Sequence, residues 1–213
     1  MPIRENIEKI QKEIGGKATL VAAVKYATSD QIKAALDAGI THIGFNTYQQ
    51  MEEIAPRIKE DTKTHFIGTL QKNKAKKVVG LNPLLIQSVD SYKLTEKINN
   101  AAEHMNKIQD ILIQVKTDPQ KSTGVAPKDL NELLLKIGTL KHIKIRGLMT
   151  ITPFDGNPDE SRPYYHAMHS YLKDSEKILK RRLDYLSMGM SGDYMEAIEE
   201  GANMVRIGSA IFR

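Results

Sequence analysis

A strict alternation of short apolar runs with amphipathic stretches, sustained from residue 20 to residue 207, leaves this chain few ways to fold. The apolar runs predict strands at Leu20–Val24, His42–Phe45, Thr64–Ile67, Leu84–Val89, Asp110–Val115, Ile143–Met149, Leu183–Ser187 and Met204–Ile207. Continuous apolar runs of this length suit strands covered on both faces, as in a parallel sheet whose crossovers are helices. The intervening stretches carry helix punctuation. Residues 30–38 (DQIKAALDA) place Asp30 as N-cap, an apolar stripe at Ile32, Ala35 and Leu36, and Gly39 as the stop. Residues 127–137 begin with Pro127 and end before Gly138, the expected asymmetry of a helix, and 193–200 stop at Gly201. Eight strands separated by helices, with no long linker, predict a closed (β/α)8 barrel (TIM barrel) in one domain spanning 1–213. An open doubly wound sheet is the alternative, but no Gly-x-Gly-x-x-Gly follows the first strand.

Composition narrows the function classes. The 213 residues include no cysteine, which excludes disulfides, thiolate catalysis and cysteine-bound zinc. No apolar run is long enough to span a bilayer, and the charged start Met1-Pro2-Ile3-Arg4-Glu5-Asn6 does not read as a secretory signal. A cytoplasmic protein with no membrane partner is expected. The formal charge of +5 suits an anionic small molecule as well as a nucleic acid and decides neither.

In a barrel of this kind the carboxyl ends of the strands form the active face. Those ends hold Lys25, Asn46, His65, Gln87, Lys116, Met149, Thr150, residues 187–191, Gly208 and Ser209. Lys25 stands out. An ammonium at the tip of an apolar strand must reach water or work with a lowered proton affinity. The plain alternative is a lysine bent outward into solvent. After the seventh strand, SMGMSGDY places Gly189, Ser191 and Gly192 before a short helix, and RIGSA after the eighth adds Gly208 and Ser209. Glycines admit backbone N–H groups close to an anion and serines donate, so the pair predicts a phosphate cup. The alternative is two ordinary turns, with Ser191 as a helix cap.

A phosphate site facing a strand-end lysine fits Schiff-base chemistry with a sugar phosphate or with pyridoxal phosphate (PLP). Arg206, two residues before Gly208, is predicted to point into the same space. Facing a pyridine nitrogen it would donate and hold the ring unprotonated; otherwise it forms a rim salt bridge. Three other features read as structural. His166 and His169 share a helix face without a third metal ligand, so no metal is expected. The basic run QKNKAKKVV, residues 71–79, lacks an interleaved aromatic and reads as a solvated helix face, with no nucleic-acid partner expected. His65 reads as a satisfied core histidine.

Four segments, VAAVKYATSDQIKAALDAGITHIGFN, HFIGTLQKNKAKKV, RGLMTI and LSMGMSGDYMEAIEEGANMVRIGSAIF, together resemble the pyridoxal phosphate homeostasis proteins. These are single-barrel relatives of the N-terminal domain of alanine racemase. The resemblance covers nearly the whole chain, and the last segment is the most specific. It implies a PLP Schiff base on Lys25, phosphate held by Ser191, Gly208 and Ser209, Arg206 at the pyridine nitrogen and Asn46 near the ring. It further implies a monomer that holds the cofactor without robust catalysis, with PLP-dependent apoenzymes or amino acids as partners. The other readings are an amino-acid racemase and a Schiff-base aldolase acting on sugar phosphates. In the racemase relatives a tyrosine from a second domain serves the opposite face of the cofactor, and no such domain is expected here. Three departures stand out. Phe45 replaces a usual glutamate before Asn46, Thr69 stands where a histidine or another residue is common, and the chain stops at Arg213, directly after the last strand, where relatives continue into a helix.

Overall fold

The computed structural model describes residues 2–118, 122–153 and 156–213. Among these, eight parallel strands close into a barrel in sequence order: β1 (Thr19–Ala23), β2 (His42–Phe45), β3 (Lys63–Phe66), β4 (Leu85–Val89), β5 (Gln109–Gln114), β6 (Ile143–Met149), β7 (Tyr185–Ser187) and β8 (Met204–Ile207). The predicted strands are all present, with ends shifted by at most two residues. Closure comes from β8 on β1, with Leu20 beside Val205 and Ala22 beside Ile207. The helices are α1 (Pro2–Ile14), α2 (Ser29–Asp37), α3 (Tyr48–Ile54), α4 (Ala75–Gly80), α5 (Tyr92–His104), α6 (Leu130–Ile137), α7 (Arg162–Leu179), α8 (Tyr194–Glu199) and α9 (Ser209–Phe212). None is long and apolar enough to cross a membrane.

Local chemistry explains the boundaries. The cap of α2 is Thr28, not Asp30: its hydroxyl accepts from the Gln31 N–H while the Gln31 side chain accepts from the Thr28 N–H. This reciprocal pair satisfies two otherwise orphaned donors, so the cap lies two residues earlier than predicted. Residues 127–129 form a separate 3-10 turn ahead of α6, because Pro127 favours a tight entry. Two elements went unpredicted. In α1, Ile7, Ile10 and Ile14 line one buried face that plugs against the rest of the fold. The chain does not stop directly after β8, because Ser209–Phe212 turns into α9. Asn6 and Gln31 donate to the carbonyls of Ile211 and Phe212, which ties α9 to α1 and α2.

Strand pleating sorts the core into two layers. Val21, Leu85, Leu112, Met149 and Met204 form a small apolar plug inside the barrel. A much larger cluster fills the space between sheet and helices and includes Phe45, Phe66, Ile86, Ile111 and Ile207. One pleat step further toward the carboxyl ends, the interior turns polar at Gln87, Ser187 and Arg206, all buried.

Candidate functional site

A cavity of about 540 Å³ opens at the carboxyl ends of the strands, within the size range of cofactor pockets. Lys25, Asn46, Ser191, Arg206, Gly208 and Ser209 all line it. So do Tyr26, the neighbour of Lys25 at the mouth, and Gln31, Ile67 and Ile151, which sequence reasoning missed. Their common signal was position just past a strand or in the first turn of a helix, which does not distinguish a wall from a rim.

Lys25 lies two residues beyond the end of β1, in a turn, and is exposed. Its ammonium sits 4.6 Å from the centroid of the Tyr26 ring, and Tyr26 is itself 75% exposed. Thus Lys25 keeps its hydration while bordering the cavity. Asn46 follows β2 and is half-buried. Gly68 fixes its backbone at close range: a Cβ there would lie 1.9 Å from the Asn46 carbonyl oxygen. Phe45, the departure next to it, points the opposite way into the core, so the missing carboxylate alters no wall of the cavity. Thr69 is exposed and does not line the cavity either.

The loops after β7 and β8 meet as the sequence anticipated. Gly189 takes φ +89°, and a Cβ there would sit 2.6 Å from that of Ala197, so only glycine makes this turn against α8. The Ser191 hydroxyl does not cap α8. It accepts instead from the N–H groups of Gly208 and Ala210, each at 3.2 Å. Two backbone donors and one hydroxyl therefore converge on one point of the cavity wall.

Asp193 braces this loop from below and was not foreseen. It is 1% exposed; one carboxylate oxygen accepts from the Met190 N–H at 2.7 Å, the other from Tyr165 at 2.6 Å and Ser161 at 3.0 Å. Burial, and then the carboxylate as hydrogen-bond partner, push the Tyr165 phenol well above its ordinary range, so it stays a donor.

Arg206 is 5% exposed, so it lies inside the barrel rather than in a salt bridge at its rim, and no ion pair of it occurs among the described residues. One terminal nitrogen donates to the Ser187 hydroxyl and the other to the Thr150 carbonyl, each at 2.7 Å. Burial lowers its guanidinium to about 10, opposed by nearby Tyr165 and Asp193, so it remains charged at neutral pH. Ser187 in turn donates to the Gln87 amide oxygen at 2.7 Å. The Gln87 nitrogen lies 3.0 Å from His65 Nδ1, and His65 Nε2 lies 2.9 Å from His42 Nδ1. His65 and Gln87, placed at the strand ends by sequence, thus lie inside the barrel below the mouth. His65 is a satisfied core histidine, as expected, and burial followed by the neighbouring His42 lowers it to about 3.

The remaining candidates fall elsewhere. Lys116 does not line the cavity. His166 approaches the Glu200 carboxylate and His169 Nδ1 the Glu200 carbonyl, and no metal-binding group of three occurs among the described residues. The basic run acquires an aromatic that its own sequence lacks: Lys74 and Lys77 lie 5.4 and 5.3 Å from the Tyr48 ring, supplied by α3.

The alanine racemase N-terminal domain family matches residues 2–213. The chain belongs to that family. The pyridoxal phosphate homeostasis protein of Aquifex aeolicus is 36% identical over 97% of this chain and 93% of that protein. That of Synechocystis is 37% identical over 91% and 89%. PipY of Synechococcus elongatus, solved with PLP bound, is 30% identical, with a TM-score of 0.92 over 99% of this chain and all of that one. Alanine racemase of Clostridium difficile shares the fold at 15% identity, with a TM-score of 0.81 over 56% of its length. Within the family, the chain is thus one of the pyridoxal phosphate homeostasis proteins.

Proposed function

We propose that this protein binds PLP in the mouth of the barrel and serves a cytoplasmic pool of the cofactor, as a monomer that releases it to PLP-dependent apoenzymes. The observation that carries the reading is the convergence of Lys25, Asn46, Ser191, Arg206, Gly208 and Ser209 on one cavity. The donor set fits the group: hydroxyl and backbone N–H donors suit a phosphate, a donor-only guanidinium suits a ring nitrogen, and an exposed primary amine suits an aldehyde. When bound, PLP supplies that aldehyde together with an electron-withdrawing ring. Lys25 provides the amine that forms the C=N bond, with loss of water. Ser191, Gly208 and Ser209 hold the phosphate, Arg206 donates to the ring nitrogen, and Asn46 flanks the ring.

Retention rather than turnover is supported by the distribution of proton-transferring groups. Racemisation needs an acid–base group on each face of the reacting carbon. Among the described residues that line the cavity, Tyr26 is a further such group, and its ring centroid lies 4.6 Å from the Lys25 ammonium, so the two sit side by side. Arg206, which cannot accept a proton, also leaves the ring a weaker electron sink than an acidic partner would. The test is an absorption spectrum with added PLP, repeated on Lys25→Ala, and incubation with L-alanine in deuterated water. We expect a Schiff-base band in the wild type, its loss in the variant, and negligible loss of the α-proton. A band that survives in Lys25→Ala moves the linkage to another lysine. Turnover well above that of free PLP, abolished in Lys25→Ala, would make the protein a racemase.

A further inference from the structure

Arg206 stands at one end of a hydrogen-bonded chain that crosses the barrel interior: Arg206 to Ser187, Ser187 to Gln87, Gln87 to His65, His65 to His42. The chain starts in the wall of the mouth cavity and ends at His42, which lines a separate cavity at the amino ends of the strands. It draws one residue from each of β8, β7, β4, β3 and β2.

Its direction follows from the guanidinium and from the Gln87 amide. A guanidinium donates and cannot accept, so Ser187 Oγ accepts from Arg206, and its hydroxyl donates to the Gln87 oxygen. With that oxygen accepting, the Gln87 nitrogen donates to His65 Nδ1. His65 then carries its proton on Nε2 and donates it to His42 Nδ1. With the Gln87 amide in this orientation every link pairs one donor with one acceptor, and all of them run the same way. The second Gln87 N–H reaches the Met204 sulfur, which pins the amide in this orientation. A chain whose every link is determined holds the guanidinium in a single rotation. Its remaining N–H groups are then directed by the Ser187 and Thr150 anchors rather than free to turn.

We propose that Ser187 and Gln87 are positioning residues that, backed by His65 and His42, fix Arg206 for donation to the ring nitrogen of a bound pyridine ligand. This rests on the PLP reading above. It adds that recognition of the ring nitrogen is built from the barrel interior rather than from Arg206 alone.

The test compares PLP with its carbocyclic analogue, in which C–H replaces the ring nitrogen, in equilibrium binding to the full-length apoprotein. The wild type should favour PLP by about tenfold or more, since the analogue leaves a buried donor unanswered. Ser187→Ala removes only the hydroxyl at the first link, and Gln87→Met breaks the second at similar volume. Each should weaken PLP about tenfold and leave the analogue within twofold, so that the preference collapses. Adding Ser187→Ala to Arg206→Ala should weaken PLP no further. Equal losses for both compounds would mean that the chain only supports the fold, and unchanged PLP binding would mean that Arg206 needs no support. Either result overturns the proposal while leaving PLP binding intact. A wild type that takes up neither compound would instead defeat the cofactor reading itself.

Discussion

Two buried polar assemblies flank the cavity, and they are built on opposite logic. Around Asp193, donors converge on one acceptor: Tyr165, Ser161 and the Met190 N–H all point at the same carboxylate. From Arg206, by contrast, donors and acceptors run in series across the barrel to His42. A convergent hub concentrates its stabilisation in one residue, and losing that residue takes the charged acceptor from every donor at once. A serial chain spreads its contribution, so that breaking one link leaves the others in place but releases what lies at the end. The hub therefore holds the loop after β7 in shape, and the chain holds one side chain in orientation.

The largest expected effect comes from breaking the hub. Asp193→Ala leaves the Tyr165 and Ser161 hydroxyls buried without their acceptor and takes a counter-charge away from Arg206. We expect a loss on the order of 3–5 kcal/mol in denaturant unfolding, the range for removing one partner of a buried charged network. A loss below 1 kcal/mol would show that the cluster relaxes onto water and is no hub.

The next effect sharpens the chain by pH. His65 is held near 3 in the folded protein against 6.5 in the unfolded chain, so below 6.5 the unfolded state binds a proton that the native state refuses. Stability is therefore complete above about 6.5 and falls by about 1.4 kcal/mol per pH unit as pH drops toward 3. His42, lowered chiefly by burial and then by the charge of Lys63, acts with the same sign. Unfolding curves from pH 7.5 to 4.5 should show the gap between wild type and His65→Gln constant above 6.5 and closing below it, by about 3 kcal/mol in all. A gap independent of pH would contradict a neutral buried His65.

Ser191→Ala probes the loop that the hub supports. It should reduce PLP affinity by about 2 kcal/mol, the value of a hydrogen bond to a charged acceptor, and spare pyridoxal, which lacks the phosphate. Equal losses for both ligands would show that Ser191 only joins two turns. Lys25→Ala should change stability least, within about 0.5 kcal/mol, because the side chain is exposed. A larger loss would assign Lys25 a place in the fold beyond the cavity wall.

Much of this was legible in the sequence. The eight strands, their order and the barrel follow from a hydrophobic pattern that repeats along the chain, and local pattern is what a sequence displays directly. The six residues at the cavity were legible too, because strand ends in a barrel share one face and glycine with serine marks a close backbone approach. The first residue of α2 was misassigned because Thr28 and Asp30 are both good caps, and only the Gln31 reply distinguishes them. The pleat could place Gln87 and Ser187 on inward-facing positions, but no local pattern says which inward residues touch.

What the sequence determined by itself was the architecture and six of the residues that line the cavity, since both depend on periodicity and on position along each strand. The tertiary structure alone decided the hub and the chain. Asp193 meets Tyr165 across 28 residues and Ser187 meets Gln87 across 100, separations bridged only when the barrel closes. It also decided that His65 is neutral and that Arg206 is held in one orientation. Burial and hydrogen-bond direction are properties of a surrounding, and the surrounding exists only once distant strands have come together.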